Sequence, residues 1–276
     1  MKRACVIGWP IEHSRSPLIH GYWLKRYGIA GTYAKEAVKP EDLRAFLASL
    51  SDRGFAGCNV TVPHKEAAFA AARVREPSAT AVGAANTLWF EDGELAAANT
   101  DTYGFMTHLT SRYPDWVRHD RPVSILGAGG AARAIVYGFL EAGVSEVRVF
   151  NRTLERAQAL MKQFSARVKA LDWGHRSELS CDAGVIVNTT AAGMKGQGSL
   201  EIDFSHINRE CIAADIVYIP LETAFLKDAK SHGLKTLDGL GMLLHQAVPG
   251  FEKWFGVRPE VSDELCRLIV KDIESR

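Results

Sequence analysis

Apolar positions along the chain fall into two rhythms, short unbroken runs and repeats near 3.6 residues. Ala4–Ile7 is a short apolar run that predicts a strand, and a helix follows from Pro17 to about Tyr27. Leu43, Phe46, Leu47 and Leu50 recur at i, i+3, i+4 and i+7, the mark of an amphipathic helix. Phe55–Val60 predicts a strand that leads through Pro63 into a helix from His64 to about Val74. Thr87–Phe90 and Leu95–Ala98 predict a hairpin closed near Asp92-Gly93, a favoured two-residue turn. From Val123 the rhythm becomes strand, glycine turn, helix, strand. Val123–Leu126, Glu146–Phe150, Gly184–Val187 and Ile212–Val217 are the predicted parallel strands, with a shorter one near Arg167–Leu171. Leu240 to about Trp254 predicts a helix perturbed at Pro249, and Pro259 to Ile273 a final amphipathic helix. Alternating strands and helices place the chain in the α/β class.

Length refines this picture, because 276 residues suit roughly two domains, each with its own core. The N-terminal region lacks a clear edge helix of its own, so the C-terminal helices are expected to return and cover it. The expected division is therefore 1–101 with 239–276 as one discontinuous domain, and 102–238 as the other. Hydrophobic content of 47% and charged content of 24% are those of an ordinary soluble protein. A net charge of +1 gives no electrostatic case for nucleic acid or an anionic membrane surface. No apolar run approaches the roughly 20 residues of a spanning helix. Met1-Lys2-Arg3 leads directly into a predicted strand rather than a signal peptide's apolar region, and with the chain's scattered thiols a cytoplasmic protein is expected. Five scattered cysteines without a C-x-x-C favour reduced thiols, and neither they nor the nine histidines form a ligand cluster, so no metal is expected. No heptad announces a partner; a monomer or a homodimer is expected.

Candidate chemistry begins at Gly127-Ala128-Gly129-Gly130-Ala131-Ala132, between a predicted strand and a predicted helix. Glycines at such a junction let backbone N–H groups approach a pyrophosphate at the positive end of a helix. A second strand ends in Asn151-Arg152-Thr153, where an Asp or Glu would bind a ribose hydroxyl. Arg152 there suits a 2′-phosphate, because its charge is fixed and its donors fork toward phosphate oxygens. The expected cofactor is NADP(H), in a Rossmann-like, doubly wound half. Arg156, one turn on, is a second candidate charge, although an exposed helix face explains it nearly as well. Thr153 is also a natural helix cap. Asn188-Thr189-Thr190 follows a strand end and borders either the ribose and nicotinamide or simply a turn.

Four clusters in the first hundred residues carry polar groups that a structural account does not require. In His13-Ser14-Arg15-Ser16-Pro17, Ser16 is placed to cap a helix with Pro17 at its first position, while Ser14 has no such task. Two hydroxyls near a helix N-terminus make a carboxylate cradle. In Asn59-Val60-Thr61-Val62-Pro63-His64-Lys65, alternation sends Asn59 and Thr61 to one side, and Lys65 enters the first turn of a helix. A cation beside the positive end of a helix dipole is locally unfavourable, which marks it as a functional suspect. Asn86 in Gly83–Thr87 and Asp101 in Asn99–Gly104 complete the set, with a turn and a helix cap as their plainer readings.

Taken in order, these strings resemble the NADP-dependent shikimate/quinate dehydrogenase family over nearly the whole length. The matching segments are Val6–Pro17, Asn59–Lys65, Gly83–Thr87, Asn99–Gly104, Gly127–Ala132, Asn151–Thr153, Asn188–Thr190 and Asp238–Ala247. Trp9 and Ala85 are small departures that supply no chemistry. The resemblance implies a two-lobed enzyme, an N-terminal α/β substrate domain plus an NADP-binding domain, that interconverts shikimate and 3-dehydroshikimate in aromatic biosynthesis. It implies that Lys65 and Asp101 form the catalytic pair and that Ser14 and Ser16 hold the substrate carboxylate. Thr61, Asn86 and Gln246 would bind ring hydroxyls, and Tyr218 would help close the site. Gly239 and Met242 would join the glycine turn, Thr189 and the Asn-Arg-Thr segment around the cofactor. Gln246 lies four residues after Met242, so both are expected to face the cleft from one helix. Two alternatives stand beside this reading, a dehydrogenase that also accepts quinate and a non-catalytic NADPH-binding sensor.

Overall fold

The structure is a computed structural model and describes residues 1–117 and 120–275. The N-terminal stretch alternates β1 (Lys2–Gly8), α1 (Ser16–Arg26), β2 (Gly31–Ala37), α2 (Leu43–Ala48), β3 (Phe55–Val60) and α3 (Lys65–Ala71). It continues with β4 (Val74–Arg75), α4 (Pro77–Val82), β5 (Thr87–Glu91), β6 (Glu94–Ala98) and α5 (Asp101–Arg112). Six strands form a mixed sheet in the order β2-β1-β3-β5-β6-β4, with β1 parallel to β2 and β3, and β5 antiparallel to β3 and β6. Cys5, Ile7, Leu47, Leu50, Phe55 and Leu88 make one of its buried layers.

Three elements here differ from the sequence pattern. Strand β2, Gly-Thr-Tyr-Ala-Lys-Glu-Ala, carries two charges and no branched aliphatic residue, so its extended form comes from pairing along β1 at the sheet edge. The helix expected from His64 to Val74 ends at Ala71. Ala72 is extended (ψ 137°), and Val74–Arg75 pairs with β6 instead. Pro77 then opens a short unanticipated helix, with Glu76 held extended as residues before proline prefer. The hairpin follows its pattern closely: Glu91 pairs with Glu94, and both turn residues have positive φ, 50° at Asp92 and 82° at Gly93.

The second stretch runs β7 (Val123–Leu126), α6 (Gly130–Glu141), β8 (Val147–Asn151), α7 (Leu154–Phe164), β9 (Val168–Asp172), β10 (Val185–Asn188), β11 (Ile212–Asp215), α8 (Ala224–Ser231) and β12 (Lys235–Leu237). All five pairings are parallel, in the order β12-β11-β10-β7-β8-β9. The strand order reverses between β7 and β10, the switch point at which such sheets bind ligands outside their carboxyl ends. Both faces are buried, which is why these strands read as continuous apolar runs. Ile125, Val149 and Val187 point to a layer with Ile135 and Phe139 of α6, while Leu126, Phe150 and Ile186 point to a layer with Phe225 and Leu226 of α8.

The chain ends in α9 (Leu240–His245), α10 (Ala247–Phe255) and α11 (Asp263–Glu274). The expected perturbation lies at Gln246 rather than Pro249. A proline is tolerated in the first turn of a helix but clashes with the carbonyl four residues earlier, so Pro249 breaks the preceding helix at its end. The final helix starts four residues later than expected, because Ser262 caps it by accepting from Leu265 N. By its contacts the chain divides into Met1–Gly104 with Leu244–Arg276, and Phe105–Leu243. Within the first unit α10 rests on β1, β3 and β5, and Trp254 Nε1 donates to Leu88 O at 2.8 Å. Among the described residues no helix is long and apolar enough to cross a membrane, and no group of three His, Cys, Asp or Glu is placed to hold a metal ion.

Candidate active site

In the first unit, the segment after β3 turns with His64 N bonded to Thr61 O, and His64 is anchored by its Nε2, 2.7 Å from Val38 O. That turn delivers Lys65 to the first position of α3. Lys65 Nζ donates to Asp101 Oδ2 at 2.6 Å, and Asn86 Nδ2 donates to Asp101 Oδ1 at 2.8 Å. Asp101 is not spent on capping α5: Asn99 Oδ1 accepts from Asp101 N at 3.1 Å and does that work. Lys65 keeps 31% of its side chain exposed and Asp101 14%, so the ammonium is oriented from beneath yet open to a ligand.

The polarity of this pair propagates inward. An ionised carboxylate only accepts, so the Asn86 atom facing it must be the amide nitrogen. Asn86 Oδ1 consequently faces the other way and accepts from Thr100 N (2.8 Å), Thr100 Oγ1 (3.0 Å) and Thr87 Oγ1 (3.1 Å). Asn59 Nδ2 donates to Asn86 O and to Thr87 Oγ1, and Asn59 Oδ1 accepts from Tyr33 OH at 2.6 Å. Gln246 O, 2.8 Å from Thr100 Oγ1, is the alternative acceptor for the single proton of that hydroxyl. Such a mostly buried polar network is costly to break at any one member.

Ser14 and Ser16 meet through their hydroxyls at 3.3 Å, and Ser16 N donates to Ser14 Oγ. The capping role expected of Ser16 is not used: α1 begins at Ser16, and Arg15 occupies the cap position without a side-chain bond. Arg15 instead pairs with Asp272 at 2.9 Å, tying the serine loop to α11. Burial raises the Tyr33 phenol well above its ordinary range, and the adjacent Ser16 hydroxyl opposes that rise. Tyr33, Asn59, Asn86, Asp101 and Lys65 thus form one hydrogen-bonded series, and the Ser16 hydroxyl lies beside Tyr33. Thr61 is half-buried, with its backbone N bonded to Ile7 O. Tyr218 follows β11 in the second unit and is half-buried.

His20 stacks on Tyr33 (ring centroids 4.0 Å apart), and neither of its ring nitrogens has a hydrogen-bond partner. Burial lowers its pKa to about 3, with the Asn59 side chain pulling the other way. The folded chain therefore refuses a proton that the unfolded chain accepts, so stability is complete above about pH 6.5 and falls as pH drops toward 3, at about 1.4 kcal/mol per pH unit. Between pH 7.5 and 5.5 the native protein is expected to lose about 1.4 kcal/mol that a His20→Phe variant does not. Urea denaturation of both proteins at the two pH values measures this, and equal losses would clear His20 of the effect.

In the second unit the glycine turn leaves β7. Gly127 has φ 112°, and a Cβ there would lie 2.7 Å from Thr189 Oγ1, so only glycine fits. A Cβ at Gly129 or Gly130 would meet nothing within 4 Å, so the protein itself does not demand glycine at these positions. What their smallness leaves uncovered is the N-terminus of the twelve-residue α6, flanked by Ala128 and Ala131, where an anion is favoured. At the end of β8, Asn151, Arg152, Thr153 and Arg156 line a cavity of about 340 Å³ together with Trp173 and Thr190. Asn151 Nδ2 shapes the turn by donating to Thr153 O at 2.8 Å. Thr153 occupies the cap position of α7 without a side-chain bond, so its hydroxyl is not consumed by capping as expected. Amides at one point and two guanidiniums at another suit a ligand with phosphates in two places.

Other expected contacts are accounted for within the protein. Thr189 Oγ1 donates to Leu126 O at 2.9 Å, and Asn188 Oδ1 accepts from Thr190 N and Oγ1, which is turn chemistry. Asn188 Nδ2 and Thr223 Oγ1 donate to Asp215, whose carboxyl burial pushes up to about 6. Gly239 is explained by the Ile216 carbonyl, into which a Cβ would collide. Met242 packs against the apolar layer of α6, and the helix break at Gln246 means that Met242 and Gln246 do not share one continuous helix. Tyr33 and His20 carry no signal in the sequence, and Thr87 and Thr100 lie in the Gly83–Thr87 and Asn99–Gly104 strings without a role of their own there. Lys65, Asp101, Asn86 and Asn59 are the members of this network with a local signal in the sequence.

Three comparisons bear on this arrangement. Residues 6–88 match the family model described as shikimate dehydrogenase substrate binding domain, 114–200 match shikimate / quinate 5-dehydrogenase, and 239–263 match shikimate 5′-dehydrogenase C-terminal domain. The chain is 55% identical over 275 residues to the shikimate dehydrogenase (NADP(+)) of Brucella canis, covering 99% of this chain and 95% of that one. Among solved structures it is similar to a shikimate 5-dehydrogenase from Thermus thermophilus in complex with NADP(H) and shikimate, with a TM-score of 0.85, 34% identity, and coverage of 100% of this chain and 99% of that one. It is also similar to a quinate dehydrogenase from Corynebacterium glutamicum in complex with NAD, with a TM-score of 0.91, 29% identity, and coverage of 98% and 100%.

Proposed function

The chain belongs to the shikimate dehydrogenase family, and we propose that it catalyses the reversible, NADP-dependent reduction of 3-dehydroshikimate to shikimate in aromatic amino acid (chorismate) biosynthesis. The observation that carries the reading is the Lys65–Asp101 pair at 2.6 Å, partly open to a ligand and locked from behind by Asn86. When bound, NADPH supplies the hydride that reduces C3 of the substrate ring. Negative charge then develops on the C3 oxygen, and the Lys65 ammonium stabilises it and donates a proton there. Asp101 holds that ammonium in aim. Ser14 and Ser16 take the substrate carboxylate, and Thr61, Asn86 and Gln246 take the ring hydroxyls.

The first unit serves as the substrate domain and the second as the NADP domain. In the latter, the amides of the Gly127–Ala131 turn hold the pyrophosphate, while Arg152, with Asn151, Thr153 and Arg156, holds the 2′-phosphate. Scattered thiols support a cytoplasmic enzyme, working as a monomer or homodimer. A quinate-accepting relative is the second reading, favoured by the likeness to the Corynebacterium quinate dehydrogenase. Initial rates with shikimate and quinate, each with NAD⁺ and NADP⁺, test both. Turnover concentrated in the shikimate–NADP⁺ pair is the expected result; comparable turnover of quinate would establish the broader enzyme, and no turnover of either acid would defeat both readings.

A further inference from the structure

Beside the phosphate-binding residues lies an indole to which the roles above give no task. Trp173 begins the short turn after β9, and its backbone is pinned on both sides. Asp172 Oδ1 accepts from Gly174 N at 2.7 Å, and Trp173 O accepts from Arg176 Nη1 at 3.0 Å. Part of the ring packs against the apolar layer that contains Phe150 and Phe204. The ring is therefore a partly buried wall of the cavity, set on a hydrogen-bonded turn.

Two guanidiniums lie against that wall, Arg176 Cζ at 4.9 Å and Arg152 Cζ at 5.7 Å from the ring centroid. They are tethered differently. Arg176 is held in place by Glu201 O and Trp173 O, which take two of its five N–H donors. Arg152 is exposed, and among the described residues no carboxylate or carbonyl holds it; the indole is the group it rests on. A long cationic side chain that is already placed loses less freedom when it takes up an anion. The attraction of a guanidinium for an aromatic face supplies that placement without using any donor that a phosphate would need.

We propose that Trp173 is a positioning residue for cofactor choice, its indole face holding the Arg152 guanidinium where a 2′-phosphate is bound and so favouring NADP(H) over NAD(H). The inference rests on the assignment of Arg152 to that phosphate. An indole acting instead as a platform for the adenine would serve both dinucleotides alike, because the base is common to them. Cation–aromatic contacts at exposed sites are modest, so the expected effect is about three- to tenfold in affinity.

Isothermal titration of the intact protein with NADP⁺ and with NAD⁺ tests the proposal, without reference to turnover. Trp173→Leu should weaken NADP⁺ binding about three- to tenfold while NAD⁺ binding stays within about twofold. Trp173→Phe, which keeps an aromatic face, should restore most of the loss. In an Arg152→Leu background, Trp173→Leu should add nothing, because the group it places is gone. Equal weakening toward both dinucleotides, or no weakening toward NADP⁺, would overturn the role of Trp173 while leaving a selective effect of Arg152→Leu intact. If Arg152→Leu itself fails to discriminate, the assignment of Arg152 falls and the proposal falls with it.

Discussion

Replacing Lys65 with alanine is expected to lower kcat by on the order of a hundredfold or more, with a smaller effect on KM, the usual scale for a lost acid–base group. Steady-state rates in both directions measure it, and unchanged turnover would remove Lys65 from the mechanism. The split between kcat and KM follows from geometry. The amine sits on Asp101 at 2.6 Å, whereas the serine pair lies on a different segment, at the start of α1. On the proposed mechanism, losing the amine removes charge stabilisation at the reacting oxygen but leaves the Ser14–Ser16 pair in place. The alanine variant also leaves Asp101 held by Asn86, so the loss reports chemistry rather than collapse of the network.

Replacing Arg152 with leucine is expected to weaken NADP⁺ binding by roughly ten- to a hundredfold, the range for one charge-assisted hydrogen-bonded contact, and to change NAD⁺ binding by less than about twofold. Titration calorimetry with the two dinucleotides reads the difference directly. The selectivity is expected because Arg152 lies at the end of β8, while the glycine turn proposed for the pyrophosphate leaves β7. Arg156 lines the same cavity and retains one cation there, which limits the loss. A matching decline for both dinucleotides would place Arg152 on some part of the cofactor that they share.

Much of the second unit could be read from its residues because parallel strands covered on both faces are apolar throughout. Runs such as Val-Ser-Ile-Leu and Val-Ile-Val-Asn mark strands by themselves, and the glycine turn shows where the first of them ends. The Asp92-Gly93 hairpin was legible for a similarly local reason, since two positive φ values in succession call for those residue types. By contrast β2, β4 and α4 carried weak local preference and exist because a neighbouring strand or a proline imposed them. The Gln246 break was misplaced by three residues because a proline acts on the carbonyl of the turn before it.

The candidate site divides along the same line. Lys65, Asp101, Ser14, Ser16, Arg152 and the glycine turn announce themselves by residue type at a known spacing from strand and helix ends, and that information is local. Which plain role each one escapes is not local. Asn99 caps α5 so that Asp101 is released to Lys65, and Asn86 is oriented because its partner can only accept. Tyr33 enters through an edge strand with no signature of its own, and Trp173 meets Arg152 across the end of a sheet. Hydrogen-bond polarity and ring contacts join residues that are remote in the chain, so they come into being only when the backbone has already brought those residues together.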